Sequence, residues 1–501
     1  MEKRSDIVII GAGMGGLFSG ALLARNGFRV TLLERSYQYG GGLQTFIRNG
    51  ENFETGMHVA AGFNEGGTLN RICTYLGIMD KLQLRPVDLM MSAMFADTDQ
   101  RIDLPVGKDG FIDALSRAFP GEHDNIVRYV QAIERISHEE TTFWMESAQL
   151  ESSAHSDEFF MAASKMIGQY TRNERLQQVL AILNPLYAGV EGHTPSYLHA
   201  MVSLIFMDSA STFVGGSMQL AHALAGVIKA AGGEILTGTE VTQVRSENCC
   251  ITGVVDSRGN EYRADWYISD INPCALAGMV SGKGFTPGFV ARLNSIPLSA
   301  SAFKLFLKLK PGSVPFENHP VCVVRSMDKV WNAPVEPGSE WPGMVNCFMV
   351  PGTDDRFASH MTVMSLMDWD CVSRWQDTCS GHRGKEYEDW KAGMAGRMME
   401  LLERRFPGLS DMVEYSFAAS PLTFRDWTGS PNGAIYGFSR DCDDLIGSRL
   451  SVRTKIKNLL MAGQCVNMHG IGGVPLTAIE TAEMICGNGV IMNGIIKANN
   501  I

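Results

Sequence analysis

Eleven cysteines are scattered through 501 residues, yet none are spaced as CxxC or in any metal-ligand pattern. That gives no support to a disulfide framework, and the odd count suits a reduced, cytosolic compartment. No HExxH and no paired histidines occur, so no metal is expected. No apolar run reaches the roughly 20 residues that span a bilayer. Long basic runs are missing too. With 54 acidic against 43 basic residues the formal net charge is −11, which makes nucleic acid a poor partner. There is no internal repeat and no low-complexity segment. Lys3 and Arg4 before an apolar stretch resemble the start of a signal peptide, but Asp6 and the glycines that follow argue against one.

What is present is an ample core. Apolar residues make up 45% of the chain and charged residues 19%, the balance of a globular protein. The length exceeds one compact core, so two domains are expected. The 28 methionines are expected to be mostly core filling.

The most informative stretch is the first. Asp6 to Ile10 reads as a buried strand, followed at once by Gly11-Ala12-Gly13-Met14-Gly15-Gly16. Leu17 to Asn26 has helical spacing, Phe28 to Leu33 is a second strand, and Glu34 stands at its tip. Gly11 permits the tight turn, Gly13 admits a pyrophosphate, and Gly16 lets the helix pack on the strand. The helix N-terminus supplies N–H donors, and Glu34 is placed to accept from ribose hydroxyls. A second glycine cluster, Gly40-Gly41-Gly42-Leu43-Gln44-Thr45-Phe46, follows six residues beyond Glu34. No second unit of this kind occurs, so one dinucleotide is expected.

Further along, Phe53 to His58 reads as a strand and Phe111 to Arg135 as a helix broken at Pro120-Gly121. Glu139 to Leu204 reads as mostly helical. Between Asp208 and Lys229 no residue is fully charged, which fits a greasy cavity wall or an ordinary core. Met218 to Ala231 reads as a helix. Strands are expected at Glu234–Leu236, Glu240–Val244, Ile251–Val255, Glu261–Tyr262 and Ala264–Ser269. Ser301 to Lys310 alternates as a strand, and Pro311 to Pro351 reads as loops with short strands. Glu386 to Phe406 reads as a helix and Ser416 to Ile446 as irregular. Leu459 to Ala462 reads as a buried strand and Leu476 to Ile485 as the last helix, with its N-terminus near Val474.

Taken together these motifs resemble the superfamily of FAD-dependent phytoene desaturases, carotenoid isomerases and retinol saturases, along nearly the whole chain. Phe53-Glu54-Thr55-Gly56-Met57-His58 resembles the retinol-saturase branch, as do Ile102 to Pro105 and Ala118 to Glu122. Gly463-Gln464, His469-Gly470 and Gly472-Gly473-Val474-Pro475 resemble its flavin-proximal end. Gln464 departs from the acid many relatives have there, and Val474 departs from Gly-Ile-Pro, which leans away from carotene desaturation.

The resemblance implies a Rossmann-type α/β domain, glutathione-reductase-like, with an inserted substrate domain of mixed sheet and helices. The expected division is 1–75, 212–290 and 435–501 for FAD, and 76–211 and 291–434 for substrate. FAD is expected non-covalently, on Gly11, Gly13, Met14, Gly15, Gly16, Glu34, Arg35, Gly41, Gly42, Leu43, Thr45, Val241, Gly463, Gln464, Gly472, Gly473 and Val474. The last helix would aim its positive end at the flavin pyrimidine edge. His58 is the first catalytic candidate, as a proton donor or acceptor or as a mere hydrogen-bonding neighbour, and His469 is the second. His199 reads as a core or cavity histidine, and Glu191-Gly192-His193 as a surface turn.

The expected function is reduction, desaturation or isomerisation of a carbon–carbon bond in a hydrophobic polyene or isoprenoid. NAD(P)H or another external electron donor is not evident. The alternatives are a flavin-containing amine oxidase and a non-catalytic lipid- or prenyl-binding protein. The expected location is the cytoplasm, with a peripheral contact at the inner face of the membrane as a second reading.

Overall fold

Ile7–Ile10 is buried on both faces and forms the central strand of a five-stranded parallel sheet. A continuous β-branched run of this kind suits a strand covered on both sides. Val30–Leu33 and Trp266–Ser269 flank it, with Glu234–Leu236 and Leu459–Met461 at the edges. The sheet thus draws strands from three distant stretches of chain. The structure is a computed structural model that describes residues 5–145, 155–282, 284–331 and 340–500. Parts of the expected helical run (146–154) and of the expected loop region (332–339) lie outside the described residues.

The helix Met14–Arg25 packs against Gly470–Cys486 and against Met218–Ala230. The last of these holds part of the charge-poor stretch. Leu220, Ala221, Leu224 and Ile228 are buried in the main core, while Val214 and His222 of the same stretch are exposed. A small sheet, ordered Glu261–Tyr262, Cys250–Asp256, Val241–Glu247, Val280–Ser281, lies beside it, as the alternating pattern predicts.

The second layer system is a seven-stranded sheet. Its order is Val413–Ala419, Ser301–Leu309, Ala358–Met367, Met344–Pro351, Val321–Val324, Leu89–Phe95, Gln100–Pro105. All pairs are antiparallel except Val321–Val324 with Leu89–Phe95. Met394, Met398, Leu401 and Leu402 of the helix Lys385–Glu403 cover one face. Helices His123–His138 and Ser196–Asp208 pack together nearby.

Four expectations differ from the structure. Pro311 to Pro351 holds a full eight-residue strand, Met344–Pro351. The region from Ser416 holds the end of the strand Val413–Ala419 and the helix Pro421–Thr428. Its mixed pattern hides them because that strand lies at the sheet edge and is only part-buried. The strand expected at Phe53 to His58 is Glu51–Glu54 paired with Thr45–Arg48, and it ends before Thr55. The helix expected at Leu476 starts six residues earlier, at Gly470, with its glycines and Pro475 carried inside by packing, and it is not the last, since the helix Val490–Ala498 follows it.

Ile9 is fully buried in the central strand. Replacing Ile9 by Ala is expected to destabilise the protein by about 2–5 kcal/mol, read as a fall in the urea midpoint at unchanged slope.

Candidate active site

Three backbone segments meet at the carboxyl end of the central strands. Gly11 turns there with φ +96°, a left-handed conformation that favours glycine. A Cβ added at Gly13 would stand 2.8 Å from Asp270 Oδ2. One added at Gly15 would stand 2.7 Å from the amide of Gly463 and overlap Asp270 Oδ1. One at Gly16 would overlap the carbonyl of Gly11. Gly463, at φ +87°, meets the same carboxyl from the other side. The second glycine cluster closes the third side, where Gly40 donates its N–H to the carbonyl of Ala12 at 2.8 Å. A Cβ at Gly41 would lie 3.1 Å from the Cα of Gly13.

Glu34 stands where the sequence places it. Its Oε2 accepts the N–H of Ala12 at 2.9 Å and its Oε1 that of Ser36 at 2.8 Å. Each carboxylate oxygen keeps a further lone pair for a hydroxyl donor. Arg35 turns toward the end of the helix Pro421–Thr428, where it donates to the carbonyls of Asp426 and Trp427, both at 3.1 Å. Leu43 accepts from the hydroxyl of Ser217 at 3.1 Å, and Thr45 packs against Gly216. Met14 opens the helix that Gly13 caps. Val241 lies deeper, in the core cluster with Ile10 and Leu33. A bare backbone floor, glycine N–H groups at a helix start and an edge carboxylate together fit a dinucleotide.

Asp270 escaped the sequence reading. It follows directly on the strand Trp266–Ser269, and an acid at a strand tip was its only signal. Burial raises its carboxyl to about 7; Glu34 adds to this, against hydrogen bonds from the amides of Gly16 and Gly13.

A second group was also missed. Lys304, on the strand Ser301–Leu309, is only 2% exposed. Its Nζ donates to the carbonyl of Thr55 at 2.6 Å and meets His58 Nε2 at 3.0 Å. Burial lowers its ammonium to about 8, with Glu54 opposing. Burial, with the Lys304 charge, holds His58 well below its ordinary range, so the imidazole is neutral. An ammonium donor at Nε2 assigns the ring proton to Nδ1. The ring stacks on Phe348, centroids 4.4 Å apart. Glu54 accepts from the N–H of Ser217 at 2.8 Å and from its hydroxyl, yet burial still raises it to about 7.

The C-terminal candidates form one run. Gln464 follows Gly463 on the same turn, and His469 caps the helix at Gly470. Gly473 packs on Met468, Val474 is buried, and Phe143 and Ile205 stand against Gly472. Burial, and after it Arg440, lowers His469 to about 3. His199 is a satisfied core group, with Tyr129 on Nε2 at 2.7 Å and Tyr187 on Nδ1 at 2.9 Å. Among the described residues, His193, Asp441 and Asp443 bring potential ligand atoms within 4.8 Å of one another, His193 and Asp443 being exposed.

A parallel sheet whose glycine turn, edge acid and returning C-terminal helix share one cradle defines a dinucleotide-binding flavoprotein fold. The chain belongs to the flavin containing amine oxidoreductase family, whose pattern matches residues 14–376. All-trans-retinol 13,14-reductase of Macaca fascicularis is 25% identical, over 99% of this chain and 87% of that protein. Prolycopene isomerase 2, chloroplastic, of an Oncidium hybrid cultivar is 25% identical, over 96% and 84%. Among solved structures, an oxidoreductase from Methanosarcina mazei has a TM-score of 0.66 at 17% identity, over 95% of this chain and 99% of that one. The resemblance read from the motifs holds, and FAD is the cofactor of this fold.

The Asp270 carboxyl makes the site pH-sensitive. Its folded value of about 7 lies above the ordinary 3.8, so folding favours the protonated acid. Its contribution is complete below the ordinary value and is lost as pH rises through the folded one. Replacing Asp270 by Asn is expected to flatten the fall in melting temperature between about pH 4 and about pH 7. A variant that still falls as steeply as the parent would assign that loss to another group.

Proposed function

We propose that this chain is an FAD-dependent oxidoreductase or isomerase acting on a carbon–carbon bond of an extended hydrophobic polyene or isoprenoid. The observation that carries this reading is similarity along nearly the whole chain to proteins named for retinol reduction and prolycopene isomerisation. The apolar surroundings support it: Phe143 and Ile205 flank Gly472, and Phe348 covers His58.

FAD, when bound, supplies two-electron hydride exchange at its ring. The residues that would hold it are the candidates already named: Gly11 to Gly16, Glu34 and Arg35, Gly41 to Thr45, Val241, Gly463-Gln464 and Gly472 to Val474. We assign 1–75, 212–290 and 435–501 to its domain, and 76–211 and 291–434 to the substrate domain. Lys304, His58 and Glu54 then hold protons behind the second glycine segment. Lys304 donates to Thr55 and His58 while charged, and releases a proton near its lowered value of about 8. His58, neutral and accepting at Nε2, orients that ammonium more than it acts as a base. His469, also lowered, stands in this reading as a neutral residue at the N-cap position of the helix Gly470–Cys486.

Among the described residues no helix is long and apolar enough to cross a membrane. Uptake of a lipophilic substrate by peripheral contact with the inner face of a bilayer belongs to the same proposal. The net charge of −11 offers no attraction to anionic lipid there.

Incubated anaerobically with a lipid extract, reduced protein is expected to add two hydrogens to one lipid or to isomerise it at unchanged mass, and oxidised protein to remove two hydrogens, read by chromatography with mass spectrometry. Flavin-loaded protein that alters no lipid but releases peroxide and aldehyde from amines would replace this reading by amine oxidation. For Lys304, substitution by Met is expected to lower turnover by about 10²–10⁴-fold with flavin retained, and to remove the limb near pH 8 from the rate profile. Unchanged turnover would exclude Lys304 from proton handling.

A further inference from the structure

Arg440 is a buried cation with no carboxylate bonded to it among the described residues. It is 5% exposed. The charged or titratable groups that act on it are Tyr197, Cys465 and Arg449, with no carboxylate among them. A guanidinium in such a place normally sits beside an acid, because desolvating it is costly. Here backbone carbonyls take that role: Arg440 donates to Ser448, to Val466 and, at 3.2 Å, to Asn467.

Two of these carbonyls lie in the loop from Gly463 to His469, the link between the glycine cradle and the helix Gly470–Cys486. The segment that carries Arg440 rides directly on that loop, since a Cβ at Gly437 would stand 2.5 Å from Cys465 Sγ. The loop ends at His469, which caps Gly470–Cys486, so the positive helix end follows at once. Arg440 lowers the value of His469, which shows that its charge is felt there. Glu480, on the same helix, accepts from Asn467 Nδ2 at 3.2 Å. Burial raises Glu480 and so disfavours its anion.

We propose that Arg440 is a positioning residue for the isoalloxazine end of FAD, shaping the Gly463–His469 loop and setting a positive charge behind it. The ring then accepts negative charge more readily than it would in a neutral pocket. This rests on the reading that the Gly463 to Val474 run meets the ring.

Sulfite tests it, because its adduct with the ring carries negative charge and bleaches the visible flavin band. Arg440→Gln in the flavin-loaded protein is expected to weaken sulfite binding about tenfold and to lower the two-electron midpoint potential by about 30 mV, the equivalent of that factor. Arg440→Lys keeps the charge and is expected to stay within about threefold of the parent. Equal sulfite affinity and equal potential in Arg440→Gln and the parent would overturn the proposal. If Arg440→Gln does not retain flavin, Arg440→Lys decides: a loss of about tenfold or more overturns the proposal and near-parental affinity supports it. A flavin-loaded parent that binds sulfite no better than free FAD fails before any substitution is made. That outcome overturns the reading of the ring contact as well.

Discussion

Everything at the cofactor end depends on one close approach of backbone to backbone. The glycine turn after the first strand and Gly463 come within contact distance of a single carboxyl, Asp270, and Gly41 of the second cluster approaches Gly13. Added side chains would collide at Gly13, Gly15, Gly16 and Gly463, so glycine is a steric necessity on those two segments. The same bareness exposes amide donors at a helix start, which is what an anionic dinucleotide needs. The sheet serves this approach: its five parallel strands, drawn from three regions of chain, deliver their carboxyl ends to one edge.

The second constraint is electrostatic. The structure buries Lys304, His58, Glu54 and Asp270 near one another's segments and lets burial, more than ion pairing, decide their protonation. The acids are drawn up and the bases down, so several groups come to titrate close to neutrality. Proton exchange near neutral pH benefits from such values. Arg440 adds a fixed charge that burial does not remove, anchored on carbonyls of the loop that leads to the helix Gly470–Cys486.

The legible parts of the molecule were those with local causes. The strand–glycine–helix–strand–Glu34 unit could be read because each residue in it has a job within a few neighbours. The strands Val241–Glu247, Cys250–Asp256 and Glu261–Tyr262 of the small sheet could be read for the same reason. The edge strand Val413–Ala419 could not, since its pairing with Ser301–Leu309 crosses a hundred residues and its own pattern is mixed. Gly470 to Pro475 read as loop because glycine and proline disfavour helix locally, and tertiary packing overrode that preference. The charge-poor run after Asp208 was ambiguous in sequence, and one face of its helix became core on meeting Met14–Arg25.

Lys304 and Asp270 show where the boundary falls. The sequence alone determined that the chain carries one dinucleotide unit, where its glycines lie and which acid stands at the tip of the second strand, because these are spacing rules within short segments. Only the tertiary structure decided that a lysine in an alternating strand would meet His58 from 246 residues away. It also decided that an unremarked aspartate would sit among the glycines of the cradle. Local sequence carries no record of such meetings, since pairing across a fold depends on which surfaces pack, and burial, which sets the charge of both groups, exists only after packing.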